Sequence, residues 1–353
     1  MAERQTTWGR SLAQLRQWAS DTEGVSLCPS SLSVAAPVRQ AFYDQVDEVA
    51  DLLAAEVLGE RLPQAGRLAR ALGDGREELL AASGLGAYRL PERLEHFLTD
   101  AHRALAEPLS SLVVDAASGR VPLAEVHGRA ASEAARSADV LMRCAYEAWV
   151  YLGIMAALRP VRFWAVASED GRRLVAVPTD EVRMGWQVPS RELRHPEAVF
   201  ETADGRVFAC KCEAAREIDY YDVMAPPARD TSAGGNTENL MGHRVLLLYQ
   251  LDGVRDVRPL VDRKEKRQVA ADHVCTVLSP GEMGSPSHLG AFISRLRTLR
   301  TRRPVTVLAY EGPAAFPAEM AEDAQVPPVE FKAVGLSLDA LAAVAAPLAP
   351  DYE

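Results

Sequence analysis

Lysine is scarce in this chain of 353 residues, which has only four lysines among its 39 basic residues. Aromatic residues are also few, at 6% of the sequence. The cysteines number five, which is odd, so we expect no disulfide framework and a reducing compartment. The longest uncharged apolar run, residues 148–158, is shorter than the roughly 18 residues that a membrane-spanning helix needs. Since the chain also shows no signal-peptide pattern, the sequence predicts a cytoplasmic protein that does not enter a membrane.

An excess of positive charge is missing as well, because 39 basic residues face 49 acidic ones and the net charge is −10. This balance argues against binding of nucleic acid by bulk attraction. A composition of 48% apolar and 25% charged residues instead describes a soluble globular chain, large enough for two cores or one elaborated core.

The basic residues gather in two clusters. Residues 255–267 hold six Arg or Lys against three acids, and residues 295–303 hold five Arg and no acid. The second cluster supplies the best candidates for contacts with nucleic-acid phosphates. Its members are Arg295, Arg297, Arg300, Arg302 and Arg303. A structural alternative stays open, because positive charge at a helix C-terminus also interacts favourably with the helix dipole.

The residue pattern of the chain changes near its middle. Residues 1–158 repeat Ala, Leu, Arg and Glu at three- and four-residue spacing, which predicts helices, and no strand alternation is convincing there. After Pro160, β-rich runs with Gly-containing turns replace this pattern. We therefore predict an α/β protein, α+β overall, with a helical N-terminal region at 1–130 and a mixed-sheet domain at 131–353. The predicted helices before Pro160 span 8–20, 35–58, 63–72, 75–82, 91–106 and 131–158.

The second half predicts two hairpins and then strands that alternate with helices, the pattern of a parallel or mixed sheet. The hairpins pair residues 162–167 with 173–177 and residues 198–202 with 206–212. The later predicted elements are strands at 245–249, 273–278, 305–309 and 329–334 and helices at 287–300, 314–323 and 337–346. The turn-rich stretch at 224–242 predicts a surface loop.

One segment carries a more specific pattern. It runs Arg194-His-Pro-Glu-Ala-Val-Phe-Glu-Thr-Ala-Asp-Gly-Arg-Val-Phe-Ala-Cys-Lys-Cys-Glu213, and a helix with Ala145-Tyr-Glu-Ala-Trp-Val-Tyr-Leu152 precedes it. Over roughly residues 140–215, the chain resembles the PD-(D/E)xK nuclease superfamily, and McrC-like restriction subunits in particular. In that family a Tyr-Glu-x-Trp-like helix precedes a Pro-Asp strand, a turn, and a strand that ends in Asp-x-Lys.

The resemblance implies a DNA-directed nuclease, or a nuclease-like subunit, of a restriction or antiphage-type system. Pro196-Glu197 falls on the family's Pro-Asp, Lys211 on its lysine and Glu147 on its helix acid, so these three side chains are the implied catalytic residues. In the family the acids bind Mg²⁺ and the lysine polarises the phosphate or the attacking water. The implied metal ligands are Glu197, Glu201 and Glu213, and the implied partners are DNA and an AAA+ motor.

The chain departs from the family at Ala209, where the acid two residues before the lysine is expected. This departure favours the alternative of a catalytically inactive nuclease-fold protein that acts in assembly or DNA recognition. A third interpretation, an α/β enzyme for a small molecule, would use the loop at 279–285.

The loop of the second hairpin decides whether Glu197 meets Lys211. A two-residue Asp204-Gly205 turn places Ala198 opposite Lys211 and turns Glu197 to the other side. A three-residue loop with Gly205 in the left-handed conformation places Glu197 directly across from Lys211. Asp-Gly suits both loops, so the sequence leaves both open.

Each candidate site residue also has a purely structural interpretation. Glu147 lies among apolar residues of a predicted helix, so it needs a partner, and a structural ion pair with Arg143, Arg159 or Arg162 would serve as well as a metal. Lys211 could reach solvent or pair with Glu213. Cys210 and Cys212, together with His195 or His243, could hold zinc, but buried thiols are the favoured interpretation.

Overall fold

The computed structural model describes residues 6–169, 173–185, 195–212, 245–262, 267–278, 286–298, 300–310 and 326–348. Within them it confirms the predicted fold class, since helices fill the N-terminal region and a mixed sheet of eight strands follows. The predicted surface loop at 224–242 and the predicted helix at 314–323 lie outside the described residues.

The chain divides into two compact units that differ from the predicted domains. One unit contains residues 1–70 and 96–142, and the other contains residues 71–95 and 143–353. The boundary predicted between residues 130 and 131 falls within one continuous helix, and a segment of the helical region belongs to the unit that holds the sheet.

The elements before Pro160 include three strands that were not predicted. They are α1 (Thr7–Asp21), β1 (Val25–Cys28), β2 (Ser31–Val34), α2 (Arg39–Leu58), α3 (Arg61–Ser83), β3 (Ala87–Arg89), α4 (Glu92–Thr99), α5 (Ala101–Ala106), α6 (Ser110–Ala117) and α7 (Leu123–Ala157). Strands β1 and β2 form a short antiparallel hairpin. Because each strand has only four residues, its alternation is too short to stand out in the sequence.

Two predicted helix boundaries in this region are wrong. The break predicted at Gly73–Gly75 does not occur, and α3 runs through it. A Cβ atom at Gly75 would lie 3.3 Å from Cδ1 of Trp149, so close packing explains a glycine inside this helix. Conversely, the predicted helix at 91–106 is interrupted at Asp100, whose carboxylate accepts a hydrogen bond from the Arg103 backbone N–H at 2.9 Å and so caps α5.

The sheet unit contains the remaining elements. They are β4 (Pro160–Glu169), β5 (Arg173–Thr179), β6 (Glu181–Arg183), β7 (Ala198–Thr202), β8 (Val207–Cys212), β9 (Val245–Leu251), β10 (Val261–Asp262), β11 (Arg267–Gln268), β12 (His273–Leu278), α8 (Pro286–Thr298), β13 (Val305–Ala309), β14 (Val329–Ala333) and α9 (Leu338–Ala345). The main sheet has the order β14-β13-β12-β9-β8-β7-β4-β5. Its pairs β12–β13 and β13–β14 are parallel and the others are antiparallel, which confirms the mixed sheet and both predicted hairpins.

The two faces of this sheet bury different side chains. One face packs Val199, Ala209 and Val307 into an apolar core with Phe292 and Leu296 of α8. On the other face lie the alternate residues of the same strands, which include the buried Phe200, Phe208 and Cys210.

Helix α7 is long and apolar enough to pass a test for a membrane span by length and composition alone. Yet 78% of its most apolar stretch is buried inside the protein. Burial of this kind indicates a core helix rather than a membrane span.

Candidate functional site

The loop between β7 and β8 has three residues, so the second of the two loop alternatives is the one that forms. Gly205 has a φ of 82°, and the Thr202 backbone N–H donates to the Arg206 carbonyl at 2.9 Å, which closes the hairpin. The register pairs Ala198 with Cys210. Glu197 therefore lies directly across from Lys211, as the nuclease resemblance requires.

Glu197 and Lys211 form a buried ion pair. The Lys211 Nζ atom lies 3.9 Å from Oε1 of Glu197, and the two side chains are 4% and 0% exposed. The same carboxylate oxygen accepts a hydrogen bond from the Cys212 backbone N–H at 2.8 Å. The lysine thus does not reach solvent, and the carboxylate is held by a cation and a backbone donor.

Tyr88, Tyr151 and the Cys210 thiol lie within electrostatic range of Glu197, and no local pattern in the sequence identifies the two tyrosines as neighbours of this residue. Burial, followed by the charge of Glu197, raises the pKa of Tyr88 well above its ordinary value. Burial likewise raises the pKa of Tyr151, and it raises that of Cys210 to about 12, with the Glu197 charge as the next cause. All three groups stay protonated at neutral pH, which argues against a Cys210 thiolate that could bind zinc or attack a substrate.

Strand alternation indicates that α7, which carries Glu147, covers the face of the sheet opposite to Lys211. Cys210 and Lys211 are consecutive strand residues, so their side chains point to opposite faces. Tyr151 of α7 lies beside the Cys210 thiol, and Glu147 precedes Tyr151 by one helical turn.

Arg143, one turn earlier in α7, is a neighbour of Glu147. The Arg143 Nε atom lies 3.9 Å from Glu147 Oε1, and the two side chains are 15% and 3% exposed. This geometry favours the structural ion pair that the sequence left open over a catalytic role for Glu147.

The other two implied metal ligands do not join Glu197 in the part of the chain that can be described. Glu201 follows Glu197 by four residues along β7, which corresponds to about 13 Å at 3.3 Å per residue. Its carboxylate faces Arg162 of β4, with 3.8 Å between Oε2 and Nη1. Glu213 lies outside the described residues. In this structure Glu201 is therefore directed at Arg162 and not at the Glu197–Lys211 pair.

The donors at this site do not fit Mg²⁺. Ala209, at the family's acid position, is 1% exposed and packs opposite Tyr249. Of the motif's carboxylates in the described residues, Glu197 is the one shown at the pair, where Lys211 lies 3.9 Å from it. Over the described ranges, no group of three or more His, Cys, Asp or Glu side chains could hold a metal ion, which applies equally to the zinc interpretation. His243 and the loop at 279–285 lie outside those ranges.

The arginine cluster lies at the end of α8 and in the segment that enters β13. The side chains of Arg297, Arg300, Arg302 and Arg303 are exposed. Arg302 pairs with Asp272 at 3.1 Å, and Arg303 donates to the Pro347 carbonyl at 3.0 Å. Arg295 lies in α8. Four of the five arginines that were predicted to contact phosphates are thus exposed on one segment of the chain.

Comparisons with known proteins give no assignment for this arrangement. No protein-family model, no curated protein and no solved structure matches the chain.

Proposed function

We propose that this chain is a nuclease-fold subunit that recognises DNA without cutting it, in a restriction or antiphage-type system. The observation that carries the proposal is the burial of the Glu197–Lys211 pair, whose side chains are 0% and 4% exposed. A group that acts on a phosphodiester has to come within hydrogen-bond distance of it. Side chains that are this deeply buried cannot come within that distance of a DNA phosphate in the folded protein.

The chemistry of the pair agrees with a structural role. Lys211 lies against a carboxylate and Ala209 replaces the acid that would help to bind a metal ion. Removal of one of two carboxylates weakens divalent-ion binding, because each carboxylate supplies both charge and oxygen ligands. The pair therefore ties the start of β7 to the end of β8 and supplies no catalytic apparatus.

Exposed arginines support the DNA-recognition part of the proposal. Arg297, Arg300, Arg302 and Arg303 present guanidinium groups that match phosphate oxygens in charge and geometry. Since the net charge is −10, attraction to DNA has to come from this local surface. The resemblance to McrC-like subunits makes an AAA+ motor the partner class that we propose for the assembly.

A second candidate is an active Mg²⁺-dependent endonuclease. It is favoured by one observation, the register that places Glu197 across from Lys211. This activity would require exposure of the pair and a second carboxylate beside it.

Binding to a short DNA duplex, measured by fluorescence anisotropy in EDTA and in Mg²⁺, tests the recognition role. We expect a dissociation constant on the order of 10⁻⁶ M or tighter at low salt, since non-specific binding by phosphate contacts lies at about 10⁻⁴ to 10⁻⁶ M at physiological salt. The affinity should be equal in both buffers once the ionic strength is matched. A wild-type protein that showed no binding at low salt would contradict the proposal.

A further inference from the structure

The two basic clusters of the sequence meet in the sheet unit. Arg258 of the first cluster and Arg302 of the second line the same pocket. Tyr249, Leu251 and Leu260 line it as well, and all three are at least nine-tenths buried. The pocket thus combines two cationic side chains with an apolar wall, although 43 positions separate the two arginines in sequence.

The backbone fixes the position of Arg302. The Ala271 N–H donates to the Arg300 carbonyl at 2.9 Å, and the Arg302 N–H donates to the Ala271 carbonyl at 2.8 Å. These bonds tie the segment to the start of β12, so the arginine is carried by the sheet rather than by a free loop. A side chain held in place in advance loses less conformational entropy when a ligand binds.

Asp272 orients the Arg302 side chain. Its Oδ1 atom lies 3.1 Å from Nη1 of Arg302, and its Oδ2 atom accepts a hydrogen bond from the Gln250 backbone N–H at 2.8 Å. A guanidinium group has five N–H donors, so one contact with Asp272 leaves donors for a ligand. With Arg258 and Arg302 against Asp272, the charges around the pocket sum to +1.

We propose that a DNA phosphate binds at the mouth of this small pocket, against Arg258 and Arg302, and that this contact adds Arg258 to the DNA-binding surface of the second cluster. The inference rests on the proposed function and deepens it, since it adds Arg258 and the positioning residue Asp272 to the surface. A phosphate oxygen suits the site because guanidinium groups bind it through short charge-assisted hydrogen bonds.

The experiment measures anisotropy of a labelled duplex over a series of salt concentrations, with Arg258→Gln, Arg302→Gln and the double variant. Each single variant should weaken binding by about five- to tenfold and reduce the slope of log affinity against log salt by about 0.9, the value for one lost phosphate contact. Arg162→Gln is the matched control, because Arg162 is also an exposed arginine beside a single acid, at 73% exposure against 62% for Arg302. It should leave both quantities unchanged.

Two results would overturn the inference, and they differ in what they say of the proposed function. If the double variant binds like the control while loss of Arg297, Arg300 and Arg303 weakens binding, the DNA-binding role stands and the pocket has no part in it. If the wild type does not bind DNA at all, the proposed function fails and the pocket fails with it. Displacement of DNA by free inorganic phosphate at constant ionic strength, reduced in the double variant, is the result expected of a phosphate site formed by Arg258 and Arg302.

Discussion

Replacement of Lys211 by methionine should lower the free energy of unfolding by about 3–5 kcal/mol, the usual cost of leaving one member of a buried ion pair without its partner. Glu197 would keep its hydrogen bond from the Cys212 N–H but lose the ammonium group 3.9 Å away. Methionine is close to lysine in length and apolar, so the variant removes the charge with little change in volume. Urea unfolding followed by tryptophan fluorescence and circular dichroism measures the effect.

Two controls separate loss of the ion pair from a general effect of substitution. Arg162→Met breaks the exposed pair with Glu201, and such pairs contribute about 1 kcal/mol or less. The double variant Glu197→Gln/Lys211→Met removes both charges and should recover most of the stability lost in Lys211→Met. A Lys211→Met variant as stable as Arg162→Met would show that the pair does not stabilise the fold.

Replacement of Arg297, Arg300, Arg302 and Arg303 together by glutamine should weaken DNA binding by about 100-fold or more at low salt. The slope of log affinity against log salt should fall by about 3 to 4, because each phosphate contact contributes about 0.9 to it. These side chains are exposed on one segment, so their replacement leaves the buried core intact. Anisotropy titrations at several salt concentrations give both quantities.

A second quadruple variant controls for bulk charge. Arg129, Arg136, Arg162 and Arg173 are also exposed, and their replacement by glutamine changes the net charge by the same four units, from −10 to −14. This variant should lose far less affinity than the first. Equal loss in both would show that overall charge, and not the surface at the end of α8, determines the binding.

Part of the fold was predictable because the signals are local. The hairpins at β4–β5 and β7–β8 have strand-forming residues around Gly-containing turns, and the amphipathic helix α8 separates the parallel strands β12 and β13. The loop between β7 and β8 was not predictable, because Asp204-Gly205 suits two loop lengths. Its left-handed Gly205 and the hydrogen bond from Thr202 to Arg206 exist only in the paired hairpin.

The candidate site was less predictable, since it depends on contacts between distant segments. Helical spacing showed that Glu147 lies on an apolar face of α7, but it did not show which face of the sheet that helix covers. Strand alternation showed that Cys210 and Lys211 point apart, but not which of them meets Tyr151. The approach of Arg258 and Arg302 to one pocket likewise follows from the order of the strands, which no local pattern encodes.

A cleavage assay tests most directly the claim that the Glu197–Lys211 pair is structural and the protein recognises DNA without cutting it. Wild type and the Glu197→Gln/Lys211→Met variant would be incubated with plasmid and linear DNA in Mg²⁺ and in Mn²⁺, after circular dichroism has shown that both are folded. We predict that both proteins bind the DNA and leave it intact to the same degree. Metal-dependent cutting by the wild type that the double variant lacks would contradict the account and establish the pair as catalytic.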